Sequence, residues 1–199
     1  MKAPTYKTIA EPSEGIYKEK GSKFLAFAFP VENETEIKEK LQALRNRFHD
    51  ARHVCYAYRL GKKPPLTERA NDDGEPSKSA GMPILQQLRK YDLTDTLVAV
   101  VRYFGGVKLG VGGLKRAYKS ATEDALSRAV ITEKEIRVPL VLEVPYEKLN
   151  DVLKHLKNYP WIMGETTAAG RINLRTEVPE AVAEFLREKF PAYFKNGSA

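Results

Sequence analysis

A glycine-rich segment with flanking cations carries the residue types best suited to binding chemistry. The segment FGGVKLGVGG, residues 104–113, contains five glycines and joins an apolar run to an amphipathic one. Glycine permits positive φ and close approach of a ligand to the main chain, and a helix start offers free N–H groups with partial positive charge. We therefore predict a site for nucleic acid or phosphate formed by Arg102, Gly105, Gly106, Lys108, Gly110, Gly112, Gly113, Lys115 and Arg116.

The glycine pattern matches neither of two familiar nucleotide-binding motifs. The Gly-Lys-Ser/Thr that ends a P-loop is missing, and Lys115 stands where the dinucleotide fingerprint has its third glycine. A tight turn between a strand and a helix would also use glycine. Five glycines exceed what such a turn requires, so we interpret the segment as a ligand-facing loop.

An acidic segment, NDDGEPSKSAG, is the second candidate, and we predict that Asp72, Asp73, Gly74 and Glu75 form a functional loop. Its carboxylates could bind magnesium or perform acid–base chemistry, but the same residues commonly form turns and their spacing is not that of an EF-hand. We assign no metal ligand and no catalytic residue. One of these carboxylates could instead pair with Arg102, which lies on a predicted buried strand.

The single cysteine, Cys55, excludes a disulfide within the chain and a zinc site built mainly on thiolates. His53 and Cys55 are two residues apart in a predicted strand, so both side chains share a face. A Cys–His pair could be nucleophilic, but free cysteine is usually buried in the core. We interpret Cys55 as a core residue.

Charge and hydropathy limit the classes of partner. The net charge is +7, and residues 1–133 carry 23 basic and 17 acidic groups, a bias that favours polyanions. Charge of this size would also serve solubility alone. No run approaches a membrane span, and no apolar run of signal-peptide length follows the N-terminus. These features predict a cytoplasmic protein without a membrane partner.

The elements that position these residues follow an α+β pattern. Strands are predicted at 14–20 and 23–31, followed by a helix capped by Asn33 with Glu36 three residues on. Residues 61–80 contain almost nothing apolar and indicate a long functional or disordered loop. The run TLVAVVRYF indicates a strand covered on both faces, and the glycine segment leads into a long helix.

From residue 133 the pattern restarts. A β-α-β-β-α order, with residues 192–195 as a candidate last strand, predicts a small ferredoxin-like module. We predict two domains, residues 1–132 and 133–199.

Three segments together resemble the YigZ/IMPACT family (uncharacterised protein family UPF0029). They are RHVCYAY at 52–58, DDGEPSKSAGMPIL at 72–85 and VVRYFGGVKLGVGGLKRAY at 100–118. The resemblance implies an N-terminal domain like domain 2 of ribosomal protein S5 and a ferredoxin-like C-terminal domain. Lys78 and Ser79 depart from the glycine and threonine that the family more often has there.

For function, the resemblance implies a connection with translation, which eukaryotic relatives regulate by binding a partner of an initiation-factor kinase. It attaches no enzymatic activity to the compact members, and this chain lacks the extra domain of the eukaryotic relatives. Our leading hypothesis is an RNA-binding or ribosome-associated protein that regulates translation, with a basic surface and no cofactor. The alternatives are a magnesium-dependent enzyme acting on a phosphorylated small molecule or RNA, and a protein-interaction module docking a translation regulator.

Overall fold

The computed structural model describes residues 4–167 and 169–194 and divides the chain into two compact units. One comprises residues 6–134, and the other comprises residues 1–5 with 135–199. Helices and mainly antiparallel sheets in both units confirm the predicted α+β class. Within the described residues, no helix is both long and apolar enough to cross a bilayer.

The larger unit contains a five-stranded antiparallel sheet with the predicted apolar strand at its centre. The strands are β1 Thr5–Ile9, β2 Ser13–Glu19, β3 Ser22–Pro30, β4 His53–Leu60, β5 Thr67–Asn71, β6 Thr96–Tyr103 and β7 Ile131–Glu135. The order in the five-stranded sheet is β2-β3-β6-β4-β5, and β6 is buried along nearly its whole length, as expected of a strand covered on both faces. Strands β1 and β7 pair with each other in a separate sheet.

Helices cover both faces of this sheet because successive residues of its strands point to opposite faces and both faces carry apolar side chains. Helix α1, Glu34–Arg47, packs on the face that includes Phe27 and Val101. Helices α2, Gly81–Lys90, and α3, Gly110–Arg128, pack on the opposite face. Helix α1 begins as predicted: the Asn33 side chain accepts from the Glu36 amide at 2.9 Å, and the Glu36 carboxylate accepts from the Glu32 amide.

The segment at 61–80, predicted to be a long or disordered loop, contains strand β5 at the edge of the sheet. Glu68 of this strand forms ion pairs with Arg59, at 2.8 Å, and with Arg89. Such pairing replaces the apolar alternation by which a strand is usually detected. The remaining loop is short and ordered, and it carries the acidic residues of interest.

The smaller unit folds in the predicted β-α-β-β-α order. The elements are β8 Arg137–Pro145, α4 Leu149–Leu156, β9 Trp161–Thr166, β10 Arg171–Pro179 and α5 Glu180–Lys189. The antiparallel sheet has the order β8-β10-β9, and an isolated bridge joins Leu142 of β8 to Phe194. Of the candidate last strand, residues 192–195, the described part therefore forms a bridge that follows a 3-10 turn, and Lys195 lies outside the described residues.

Candidate nucleic-acid interface

The glycine segment and the acidic loop meet at a cleft of about 860 Å³ in the larger unit. Its walls come from the start of β4, the end of β6, the start of α3 and the loop after β5. The predicted residues Arg102, Lys108, Gly110 and Glu75 all line it. Residues that the sequence hypothesis did not include also contribute to the walls, among them Arg52, His53 and Phe104.

Strand register places Arg102 on the floor of this cleft. His53 on β4 and Phe24 on β3 lie directly opposite Arg102 on β6, so the three side chains share one face of the sheet. The Arg102 guanidinium lies 5.5 Å from the buried Phe24 ring and 5.6 Å from the Phe104 ring. Only 8% of the Arg102 side chain is exposed.

Arg102 pairs with Glu75, one of the three carboxylates that the sequence offered as partners. Arg102 Nη1 donates to Glu75 Oε1 at 2.5 Å, and only 4% of the Glu75 side chain is exposed. The buried Tyr118 hydroxyl donates to the same oxygen at 2.9 Å. A buried carboxylate that accepts two hydrogen bonds fixes the acidic loop against the end of β6 and against α3.

The other two predicted carboxylates hold the loop itself together. Asp72 accepts from the backbone N–H groups of Lys78, Ala80 and Gly81 at 2.7–3.0 Å, which places a negative charge at the start of α2. Asp73 accepts from the Val54 amide at 2.7 Å and pairs with Arg45 at 2.9 Å. Within residues 4–167 and 169–194, no group of three or more His, Cys, Asp or Glu side chains is arranged to hold a metal ion.

Gly74 completes this loop by taking a φ of 85°, where a side chain would be strained. The residue before it, Asp73, also has positive φ, at 41°. Its carbonyl oxygen lies 2.8 Å from His53 Nδ1. The turn therefore holds the His53 imidazole in the cleft wall through Nδ1, and Nε2 takes no part in this contact.

Glycine occupies the five positions of this loop for different structural reasons. A Cβ on Gly105 would meet the backbone of Gly21 at 1.9 Å, and one on Gly113 would meet Leu109 Cβ at 2.9 Å. Gly106 and Gly110 have φ of 88° and 70°, with open space where a Cβ would point. Two glycines are thus explained by packing and two by backbone conformation.

Gly112 remains after these explanations, because a Cβ there would meet nothing closer than Arg116 at 4.0 Å. Gly112 lies in the first turn of α3, and this first turn contains no acidic residue. Leu109, which precedes the helix, has no side-chain oxygen to accept from the first N–H groups. The start of α3 is therefore open to an anion, with Lys108 beside it.

A second, smaller groove, of about 310 Å³, lies further along α3. Its cations are Lys78, Lys115, Arg116 and Lys119. The hydrogen bond from Lys90, together with the charge of Lys119, lowers the pKa of Glu123, four residues beyond Lys119 on the helix. Arg116 lies 3.9 Å from Glu19. Lys78 has a φ of 60°, so this lysine adopts a conformation that glycine adopts more easily. Lys119 follows Lys115 by four residues on one helix face, a signal that the sequence already contained.

Two residues with aromatic rings, Tyr103 and Phe104, are neighbours in the cleft wall, where Tyr103 is half-buried and Phe104 is exposed. The Phe104 side chain is 56% exposed, and Val107 and Val111 nearby are also exposed. Tyr58 and Tyr118, in contrast, belong to the core. Phe104 thus provides an aromatic surface next to cations, an arrangement on which nucleic-acid bases stack.

Cys55 belongs to the core, where its side chain is fully buried. Its Sγ donates to the Asp72 carbonyl oxygen at 3.0 Å and lies 3.3 Å from the Tyr118 hydroxyl. Burial raises the pKa of the Cys55 thiol and, together with neighbouring groups, the pKa of Tyr118. Both groups therefore remain protonated, and the thiol stabilises the floor of the cleft instead of facing it.

Comparison with known proteins places this geometry in a family. The family model described as the Impact N-terminal domain matches residues 20–126. The IMPACT family member YvyE of Bacillus subtilis is 32% identical over 92% of this chain and 86% of its own. The IMPACT family member YigZ of Escherichia coli is 30% identical over 88% of this chain and 87% of its own.

A solved structure shows a similar fold over the whole chain. The crystal structure of a hypothetical protein covers 100% of both chains at 26% identity, with a TM-score of 0.75. The matched region, 20–126, includes the cleft, the acidic loop and the start of α3. This chain belongs to the IMPACT family, as the three segments at 52–58, 72–85 and 100–118 indicated.

Proposed function

We propose that this protein binds RNA through the surface around the start of α3 and acts with the ribosome or other translation machinery as a regulator of translation. The observation that carries the proposal is the run of cations on both sides of that helix start. Arg52 and Lys108 lie at the cleft, and Lys115 and Lys119 lie at the neighbouring groove. Such a run suits a chain of phosphates.

The combination of cations with an exposed aromatic ring favours a single strand. Helix α3 contributes to both depressions, with Leu114 lining the cleft and Lys115 lining the groove. Single-strand sites combine a cationic track with exposed aromatic rings, and Phe104 supplies such a ring. We infer that phosphates follow the lysines while one base stacks on Phe104.

The role in translation rests on family membership. The three segments resemble a family whose eukaryotic members regulate translation. The chain shares the matched region 20–126 with this family. A cytoplasmic location, which the sequence predicts, agrees with such a role.

The magnesium-dependent enzyme hypothesis has less support from the contacts. Glu75 does reach the cleft, but Arg102 and Tyr118 occupy its buried oxygen. Asp72 and Asp73 are engaged by backbone amides and Arg45. The protein-docking hypothesis draws on the exposed apolar residues Phe104, Val107 and Val111, and a partner retained after nuclease treatment would favour it.

The proposal is tested by fluorescence anisotropy with a short labelled single-stranded RNA across a salt series. If about four phosphates are neutralised, log K should fall with log salt at a slope of about −3, or about 50-fold weaker binding between 50 and 200 mM salt. A double-stranded RNA of the same length should bind less tightly. Absence of binding at 50 mM salt, or affinity that ignores salt, would contradict the proposal.

A further inference from the structure

The floor of the cleft holds a guanidinium whose hydrogen-bonding capacity is not filled. Arg102 donates from Nη1 to Glu75, and Nε is buried without an acceptor among the described residues. A buried donor without an acceptor is uncommon in folded proteins and is explained by strain, water or a ligand. Because Arg102 lines the cleft, a ligand oxygen is the explanation that fits its position.

Two carboxylates line the cleft, and each accepts a hydrogen bond within it: Glu75 from Arg102 and Asp50 from Tyr103. Other groups of the cleft suit a phosphate with a base attached. Lys108 and the open start of α3 at Gly110 line the same cleft, so a charged side chain and backbone N–H groups are available to an anion. The Phe104 ring lies 5.6 Å from the guanidinium and is largely exposed. Among the described residues the Arg102 guanidinium donates one hydrogen bond, to Glu75, which leaves donor capacity for a ligand oxygen that enters from the cleft.

Access decides which kind of phosphate reaches the floor. A phosphodiester within a strand carries a nucleoside on each side, so it follows the protein surface and contacts exposed lysines. Only 8% of the Arg102 side chain is exposed, so a phosphate must enter the cleft to reach it. A phosphate at the end of a chain carries only one nucleoside and therefore enters more easily. A terminal phosphate also has three free oxygens and nearly two charges, which suit a guanidinium beside backbone donors.

We propose that the cleft binds a terminal phosphomonoester, with Arg102 and Lys108 contacting the phosphate and Phe104 stacking on the adjoining base. The proposed RNA function supplies its source, the 5′ or 3′ end of a strand. Lys115 and Lys119 then contact the phosphodiesters that follow. The surface would therefore distinguish a phosphorylated RNA end from a hydroxyl end.

The test compares one oligonucleotide in three forms, with a 5′-phosphate, with a 3′-phosphate and with hydroxyls at both ends, by competition against a labelled RNA. One of the phosphorylated forms should bind about tenfold more tightly than the hydroxyl form, the effect of one well-placed charge-assisted contact. Lys108→Ala and Phe104→Ala should abolish this preference. Lys119→Ala, which removes the same charge from the groove, should weaken all three forms equally and keep the ratio.

A further variant tests the floor of the cleft. Arg102→Lys keeps a charge beside Glu75 but loses the guanidinium fork, so a folded protein should lose the preference for the phosphorylated end. Equal affinity of the three forms for the unmodified protein would overturn this inference and leave RNA binding intact. Thermal stabilisation by a nucleoside monophosphate without any RNA binding would retain the phosphomonoester site and contradict the RNA function. Binding of neither would overturn both.

Discussion

Replacing Glu75 by alanine is expected to lower the free energy of unfolding by about 3–5 kcal/mol, because it leaves the Arg102 charge buried without its partner. The two side chains are 4% and 8% exposed and are joined at 2.5 Å. The Tyr118 hydroxyl, which donates to Glu75, loses its acceptor in the same change. Urea unfolding followed by circular dichroism provides the measurement.

Two control variants separate charge from packing at this position. Glu75→Gln keeps the size and one acceptor oxygen, so it should cost less than the alanine variant. A double variant, Glu75→Leu with Arg102→Met, removes both charges and should recover much of the loss, as replacement of buried ion pairs by apolar residues often does. A cost below about 1 kcal/mol for Glu75→Ala would mean that the pair is solvated, contrary to its burial.

Replacing Asp72 by alanine is expected to lower the free energy of unfolding by about 2–4 kcal/mol. Three backbone N–H groups lose a charged acceptor at 2.7–3.0 Å, and two of them belong to the buried residues Ala80 and Gly81. Hydrogen bonds to charged groups contribute about 1.5–3 kcal/mol each when buried. The half-buried position of Asp72 reduces the sum because water replaces part of the loss. Thermal and urea unfolding should both show the change.

Asp72→Asn serves as the matched variant for this site. Its amide group keeps one acceptor oxygen, so the stability cost should be about half that of alanine. RNA affinity of the folded Asn variant should stay within about twofold of the original, because Asp72 accepts from the backbone and lies outside the residues lining the cleft. Magnesium-dependent stabilisation that disappears in Asp72→Asn would instead favour the enzyme hypothesis.

Local sequence signals predicted the elements whose stability is decided locally. The Asn33–Glu36 cap marks the start of α1 because both partners lie within one helical turn. The apolar run of β6 marks the central strand because both of its faces are buried. The β-α-β-β-α order of the smaller unit was readable for the same reason, since each of its elements carries its own hydrophobic period.

Features that depend on distant partners could not be predicted in detail. Strand β5 is held by ion pairs of Glu68 with Arg59 and Arg89, and the sequence does not say which charges meet. The glycine pattern predicts that Gly105 belongs to a ligand-facing loop, and in the structure Gly105 lies against Gly21 of the neighbouring hairpin. Such close backbone approaches are properties of the assembled fold.

The sequence indicates which segments the candidate site draws on, but it does not indicate how their side chains pair. Arg102 could have paired with any of three nearby carboxylates, and only strand register and the loop turn select Glu75. The cations at the cleft and groove extended beyond the predicted set to Arg52, Lys78 and Lys119. These residues are distant in sequence, so their proximity required the fold.

Binding of RNA by the cations around the start of α3 is measured by fluorescence anisotropy with a triple variant, Lys108→Ala, Lys115→Ala and Arg116→Ala. The matched control replaces Lys38, Lys40 and Lys62 by alanine. It removes the same charge, with Lys38 and Lys40 on α1 at the opposite face of the sheet.

In the triple variant we expect RNA affinity at 50 mM salt to fall about 100-fold and the salt slope to become shallower by about 2, while the control should change affinity less than about threefold. Equal losses in the two variants would show that net charge alone attracts RNA. Undiminished binding by the triple variant would contradict the assignment of this surface.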